Sequence, residues 1–105
     1  MRRNGIITLT EGNIKNNHFY LRAIMDLFPE ESVGGGSSKD LGSQLLTLDY
    51  GFGEPVLTDI AGDKKIFRKR GWIGEFFKQH QLSAGDSVVV EQVAPFKYRV
   101  FPKRD

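Results

Sequence analysis

Hydrophobic and polar positions alternate in short runs along this chain of 105 residues. Short β-branched or alternating runs bounded by turn residues are typical of strands. They predict strands at Ile6–Thr10, Leu45–Tyr50, Val56–Ile60, Ser87–Gln92 and Lys97–Phe101, and a short extended piece at Lys64–Phe67. Gly51-Phe52-Gly53 predicts a hairpin turn between the second and third of these strands, and Ala61-Gly62-Asp63 predicts another turn.

Two segments have apolar spacing typical of helices. In Phe19–Phe28 the large apolar residues recur at helical intervals, and Pro29 ends that predicted helix because a residue before proline avoids the helical conformation. Trp72–His80 places its aromatic and aliphatic residues on one side and its charged residues on the other. The glycine-rich segment Ser32–Ser38 predicts a flexible loop that links elements.

Together these elements predict a mainly β fold with two short helices that close the ends of a small barrel or sandwich. A chain of this length is enough for one compact domain, so residues 1–105 are expected to form a single domain. Hydrophobic residues make up 39% of the chain, and eight phenylalanines supply bulky material for its core.

Composition excludes several kinds of chemistry. The chain has no cysteine, so disulfides and thiolate metal sites are absent. His18 and His80 lack the spacing of zinc ligands, and no serine lies in a Gly-x-Ser-x-Gly turn. We therefore expect no metal, no cofactor and no nucleophilic catalysis. Without a long apolar run or a signal-peptide pattern, a cytoplasmic protein without membrane contact is expected.

Charge is distributed in three blocks. Residues 1–25 carry four basic and one acidic residue, residues 26–63 carry one basic and eight acidic residues, and residues 64–105 carry ten basic and four acidic residues. A polyanion would approach the first and last blocks and avoid the middle one. Nucleic acid is therefore a candidate ligand, although clustered charges can also be a merely solvated surface.

The densest basic segment is Lys64–Arg70, with five cations in seven residues. In an extended strand, alternation would direct Lys65, Phe67 and Lys69 to one face and the intervening residues to the other. Each phosphate that such a segment neutralises adds sequence-independent affinity through counterion release. The alternative is a solvated sheet edge whose charges prevent aggregation.

A second candidate surface is Asn13–Arg22, with the sequence NIKNNHFYLR. Asparagine, lysine, histidine and arginine are side chains that hydrogen-bond base edges and phosphates. The alternative is an ordinary polar loop in which Asn17 caps the following helix.

Two other functions are compatible with parts of the sequence. Asp59, Asp63 and Lys65 resemble the paired acids and lysine of metal-dependent nucleases, since neighbouring carboxylates can bind a hard cation. The other function is that of a barrel that binds another protein and has no affinity for DNA.

The order of the elements resembles the B3-type DNA-binding domain, a seven-stranded open pseudobarrel. The family includes plant transcription-factor domains and the effector domains of bacterial restriction endonucleases. The resemblance is carried by Leu9-Thr10, the polar segment Asn13–Arg22, Phe28-Pro29, and the pattern GW-x₃-FF…L-x-x-GD-x-VVVE that starts at Gly71. The segment KKIFRKRGW is closer to the bacterial type, and the serine-rich second arm of the plant domains is missing.

The resemblance implies that two arms enter the major groove of double-stranded DNA from opposite sides. The first arm would contribute Asn13, Lys15, Asn16, Asn17, His18, Tyr20 and Arg22. The second arm would be Gly62, Asp63, Lys64 and Lys65, followed by Arg68, Lys69 and Arg70 near the phosphates. Asn17, His18, Asp63 and Lys64 would read bases, and a carboxylate at Asp63 can accept from cytosine N4.

By this resemblance the chain is expected to be the non-catalytic, sequence-specific recognition domain of a restriction endonuclease or related nuclease. Its partners would be duplex DNA, at the nucleoid, and a catalytic nuclease domain or subunit. As an isolated domain it is expected to be monomeric.

Overall fold

A computed structural model describes residues 3–104, whose strands form two sheets. The strands are β1 (Asn4–Thr8), β2 (Val33–Gly34), β3 (Leu46–Asp49), β4 (Val56–Thr58), β5 (Ile60–Ala61), β6 (Ile66–Phe67), β7 (Ser87–Ala94) and β8 (Lys97–Pro102). The helices are α1 (Glu11–Asn16) and α2 (Gly71–Gln79), with 3₁₀ segments at Arg22–Leu27 and Glu30–Ser32. No helix within these residues is long and apolar enough to cross a membrane.

The larger sheet has five strands in the order β1-β7-β8-β3-β4. Its pairings are antiparallel except between β3 and β8, which run parallel. In β8 the buried Tyr98 and Val100 alternate with the exposed Lys97 and Arg99, as a half-buried strand requires. The strands predicted around β3, β7 and β8 are confirmed, and so is the hairpin that joins β3 to β4.

The smaller sheet, in the order β2-β5-β6, corrects the prediction of a flexible linker at Ser32–Ser38. Val33 and Gly34 form β2, which pairs parallel to β5. A Cβ atom at Gly34 would come within 2.2 Å of the Asp40 carbonyl oxygen. That glycine therefore allows close backbone packing, and flexibility is not its role.

The alternation predicted along Lys64–Arg70 is wrong. The extended part is only the two-residue strand β6, and both Ile66 and Phe67 are buried. Before it, Lys65 has a positive φ of 56° and completes the turn of the β5–β6 hairpin. Because the segment is a turn followed by a very short strand, its cations do not lie on alternate faces.

The first predicted helix is also corrected. The chain forms α1 earlier, where the Thr10 hydroxyl accepts from the Asn13 amide and the Asn13 side chain accepts from the Thr10 amide. The segment predicted as a helix has no regular secondary structure up to Leu21 and then forms the 3₁₀ segment Arg22–Leu27, which is kinked at Ile24 with φ −126°. Its large apolar residues are nevertheless buried as the pattern indicated. The second predicted helix is confirmed as α2.

The core lies between the inner face of the five-stranded sheet, α2 and the segment Phe19–Phe28. α2 contributes Trp72, Ile73, Phe76 and Phe77, all buried. The Tyr98 hydroxyl donates to the Leu27 carbonyl oxygen and so joins the sheet to the 3₁₀ segment. Among residues 3–104 eight strands occur where seven were expected, and they form two sheets, neither of which is closed into a barrel. The mainly β fold is confirmed.

Candidate nucleic-acid interface

The two arms expected from the sequence meet in space. Arg70 Nη1 lies 3.4 Å from His18 Nδ1, across a separation of 52 residues. The backbones also join, since the Leu21 amide donates to the Lys65 carbonyl oxygen at 2.7 Å. Asn17, in the left-handed conformation with φ 52°, ends α1 and directs the chain toward this junction. Residues far apart in sequence therefore share one surface.

A row of neighbouring aromatic and basic side chains extends from the junction along the first arm. The rings of His18 and Tyr20 have centroids 5.0 Å apart, and the Arg22 guanidinium lies 5.4 Å from the Tyr20 ring centroid. Tyr20 is 45% exposed although it is a large aromatic residue. We call the set His18, Tyr20, Arg22, Lys64 and Arg70 the basic–aromatic cluster.

Two positively charged side chains of the cluster lie close enough to His18 to affect its protonation. Partial burial lowers the pKa of His18, and the positive charges of Arg70 and Lys64 lower it further. A guanidinium can only donate, so His18 Nδ1 must accept from Arg70 when the two are hydrogen-bonded. The neutral ring then carries its proton on Nε2, which makes that nitrogen a hydrogen-bond donor.

The tip of the second arm is a tight turn whose two lysines differ. The Asp63 carboxylate accepts from the Lys64 amide at 2.8 Å, which fixes the turn and leaves the Lys64 side chain exposed. Lys65 Nζ instead donates to the Gly62 carbonyl oxygen at 3.0 Å and folds back onto the turn. Among the described residues 3–104 the Lys64 side chain has no hydrogen-bond or ion-pair partner, whereas Lys65 stabilises the arm.

Arg68 does not lie free on the surface, in contrast to the expectation that it holds phosphates. Its Nε and Nη2 donate to the two carboxylate oxygens of Asp59 at 2.7 and 3.1 Å. Nη1 and Nη2 also donate to the carbonyl oxygens of Ser37 and Gly35 at 3.0 and 2.7 Å. Because these hydrogen bonds hold the guanidinium within the fold, Arg68 is not available to contact a phosphate.

The same ion pair argues against the nuclease alternative. Asp59 is 1% exposed, and its second oxygen also accepts from the Gly42 amide at 2.8 Å. Burial raises the pKa of Asp59, but the hydrogen bonds from Arg68 and Gly42 outweigh burial and hold the pKa below its ordinary value. Both oxygens are occupied by donors, and within residues 3–104 no group of three or more potential metal ligands is found.

The remaining residues of the first arm have different environments. Asn13 is 5% exposed and its side chain caps α1, so it is not available to a base. Asn17 lies against α2, where a Cβ atom at Gly74 would be 3.0 Å from its Nδ2. Lys15 and Asn16 are exposed on α1. The accessible part of this arm is therefore the end of α1 and the side chains of His18, Tyr20 and Arg22 that follow it.

Lys69 belongs to a different surface from Arg70. It lines a shallow groove with Pro55, Leu57 and Trp72, beside the edge strand β4. Its backbone amide donates to the Thr58 hydroxyl and its carbonyl oxygen accepts from the Trp72 indole. Its side chain is exposed, and within residues 3–104 no hydrogen bond or ion pair links that side chain to the basic–aromatic cluster.

A cleft of about 210 Å³ next to the cluster contains residues that the sequence analysis missed. We call it the loop cleft, and its lining is Gly36, Ser38, Ala61, Asp63, Lys64, Ile66, Arg68 and Arg70. The sequence predicts only a flexible linker for the loop residues. Their relation to the second arm depends on Arg68, whose hydrogen bonds to the loop span about thirty positions. No local sequence signal identifies such a contact.

Comparison with models of protein families finds no match for this chain, and comparison with curated proteins finds none either.

Proposed function

We propose that this chain binds double-stranded DNA through the basic–aromatic cluster. The observation that carries the proposal is the junction of Arg70 with His18, which brings two basic segments of the sequence onto one surface. Arg22, Lys64 and Arg70 are exposed there and can neutralise phosphates. The Nε2–H of neutral His18 can donate to guanine N7 or O6 in the major groove.

The cluster has features that a merely solvated charged face does not need. Tyr20 presents an exposed aromatic ring between the His18 ring and the Arg22 guanidinium, so an aromatic face lies within the charged surface. The acidic residues of the middle block are not members of the cluster, although Asp63 adjoins Lys64. This combination favours DNA over a protein partner for this face.

The finer assignment is to a B3-like pseudobarrel of the bacterial effector type. It is supported by the element order, by the confirmed helix α2 after the second arm, and by the position of both arms on one surface. In this assignment the chain is the recognition module of a restriction endonuclease or related nuclease, and the cleavage activity belongs to a partner domain or subunit.

The proposal is tested by titrating the protein into a short labelled duplex at several salt concentrations and following fluorescence anisotropy. The double variant Lys64→Gln/Arg70→Gln should bind more weakly, and its log–log salt slope should decrease by about 1.8, because each neutralised phosphate contributes about 0.9. The matched control, Lys97→Gln/Arg99→Gln, removes one lysine and one arginine from β8 and should leave the slope unchanged.

Absence of duplex binding by the wild-type protein at low salt would overturn the proposal, as would equal loss of slope in both double variants. Incubation with plasmid and Mg²⁺ separates binding from cleavage, and the plasmid should shift without being cut. Selection of bound sequences from a randomised duplex pool should yield a defined motif, which distinguishes sequence-specific binding from general affinity for polyanions.

A further inference from the structure

The loop cleft has a set of hydrogen-bond donors that the fold does not use. Within residues 3–104 the Ser38 hydroxyl and the Lys64 ammonium have no hydrogen-bond or ion-pair partner, and the Arg70 guanidinium has His18 alone, at 3.4 Å. All three residues line the same cleft. Arginine, lysine and a hydroxyl together are a donor set suited to a phosphate.

The loop that supplies Ser38 is held in place although it is glycine-rich. Arg68 donates to the carbonyl oxygens of Gly35, Ser37 and Asp40, and its own charge is balanced by the buried Asp59. The Gly35 amide donates to the Asp40 carbonyl oxygen at 2.7 Å and closes the base of the loop. A preorganised wall loses little conformational freedom when a ligand binds.

The cations that line the cleft differ in how they are balanced by carboxylates. Asp59 pairs with Arg68, and Asp63 and Asp40 also act on Arg68 electrostatically, whereas Lys64 and Arg70 form no ion pair within residues 3–104. One oxygen of the Asp63 carboxylate already accepts from the Lys64 amide. Gly36 allows the loop to approach Asp63 closely, since a Cβ atom there would be 2.5 Å from the Asp63 Oδ2. The loop that contains Gly36 and the turn that contains Asp63 therefore pack closely as the two walls of the cleft.

We infer that the loop 35–40 is a third DNA-contacting element, which together with Lys64 and Arg70 holds one backbone phosphate in the loop cleft. This inference rests on the proposed function and extends it, because it adds Ser38 to the interface and assigns Arg68 a positioning role behind the loop. The ligand group is a phosphate monoanion, and it could come from DNA or from free phosphate in solution.

The test compares Ser38→Glu with Gln44→Glu on the full chain. Both changes add one negative charge to an exposed residue of the same connecting segment, but Gln44 does not line the cleft. Ser38→Glu should weaken duplex binding about tenfold at low salt, because a like charge opposes the phosphate at contact. Gln44→Glu should weaken binding less than about twofold, because screening reduces the effect of a more distant exposed charge.

A double-mutant cycle with Arg70→Gln shows whether the loop and the arm act on one phosphate. The combined effect of Ser38→Glu and Arg70→Gln should be smaller than the product of the separate effects if they share that phosphate. In a second arm of the experiment, inorganic phosphate is titrated into the labelled protein, and the amide signals of Gly36, Ser38 and Lys64 are followed by NMR.

The outcomes separate this inference from the proposed function. If the wild-type protein binds duplex DNA and Ser38→Glu behaves like Gln44→Glu, the proposed function survives and the third element is overturned. If phosphate shifts the cleft amides while Ser38→Glu leaves DNA binding unchanged, the cleft is a site for free phosphate, which also overturns it. If the wild-type protein does not bind DNA, the proposed function itself fails.

Discussion

Arg68 and Asp59 form an ion pair whose Nε–Oδ1 distance is 2.7 Å, and both oxygens of the carboxylate accept from the guanidinium. The pair lies one position beyond the β5–β6 pairing of Ile60 with Phe67, and the Arg68 amide donates to the Asp59 carbonyl oxygen. It therefore continues the hairpin and fastens the loop 35–40 beside the second arm.

Breaking this pair should destabilise the fold strongly. Asp59→Asn leaves the Arg68 guanidinium without its counter-charge in a largely buried position, and loss of one partner of a buried pair costs about 3 kcal/mol. Urea denaturation at neutral pH measures the change in the free energy of unfolding. The matched control is Glu91→Gln, which breaks the exposed Arg99–Glu91 pair at 3.7 Å and should cost less than about 1 kcal/mol. Equal costs for the two variants would show that the Asp59 pair does not organise the hairpin.

The structural role of Arg68 could not be predicted from the sequence. Composition placed it among five cations in seven residues, and nothing local distinguished it from Arg70. The distinction appears only when the β5–β6 hairpin forms, because the register then brings Asp59 opposite Arg68. The dense basic segment therefore contains two cations that are engaged within the fold, Lys65 and Arg68, and three whose side chains are exposed.

Burial was easier to predict than the type of element. Phe19, Leu21 and Ile24 are buried, as their spacing indicated, but they do not lie on one α-helix. The Leu21 amide donates to the Lys65 carbonyl oxygen, so tertiary pairing replaced the local helical bond there. Strands β3, β7 and β8 and helix α2 were predictable because each has a regular apolar period and clear turn residues at its ends.

Tyr98 should stabilise the fold through its hydroxyl. The side chain is 1% exposed and its hydroxyl donates to the Leu27 carbonyl oxygen. Tyr98→Phe leaves that carbonyl without its donor and should lower the free energy of unfolding by about 1–2 kcal/mol, whereas the exposed Tyr20→Phe should change it by less than about 0.5 kcal/mol. Burial also raises the pKa of Tyr98 to about 12, so spectrophotometric titration should show its phenolate only near that pH. A Tyr98→Phe variant as stable as the wild type would contradict the assigned bond.

Acid should destabilise the fold through both histidines. Burial lowers the pKa of His18 and of His80, and nearby arginines add to the lowering in each case. The unfolded chain keeps the ordinary value of 6.5, so the contribution to stability is complete above that pH and is lost as the pH falls through the lower folded values. Urea midpoints on either side of pH 6.5 measure this change.

The variant His18→Gln/His80→Gln should have a flatter pH dependence in that window than the wild type. The decline in stability at still lower pH should persist in it, because the lowered pKa of Asp59 stabilises the fold above its ordinary 3.8 and that contribution is lost only below this value. An unchanged dependence between neutral pH and pH 5 would contradict the histidine assignment.

Asp63 is expected to make DNA recognition more selective at the expense of affinity. Its carboxylate lies at the tip of the second arm beside Lys64, exposed and fixed by the Lys64 amide. A carboxylate there can accept from cytosine N4 and repels every phosphate that approaches Lys64 or Arg70. Asp63→Ala removes both the charge and the acceptor, and should therefore bind random duplexes more tightly and discriminate less at one base pair. Glu54→Gln, an equal charge change in the β3–β4 turn, is the matched control.

The measurement is competition between selected and random duplexes at fixed salt concentration. Loss of a good base contact reduces discrimination by about 1–3 kcal/mol at a single position, whereas removal of a general repulsion changes the affinity for all sequences alike. A loss of discrimination confined to one base pair, with tighter binding of random duplex, is the expected result. Uniform weakening on every sequence would exclude base reading by Asp63, because its carboxylate would then serve only to hold the turn that presents Lys64.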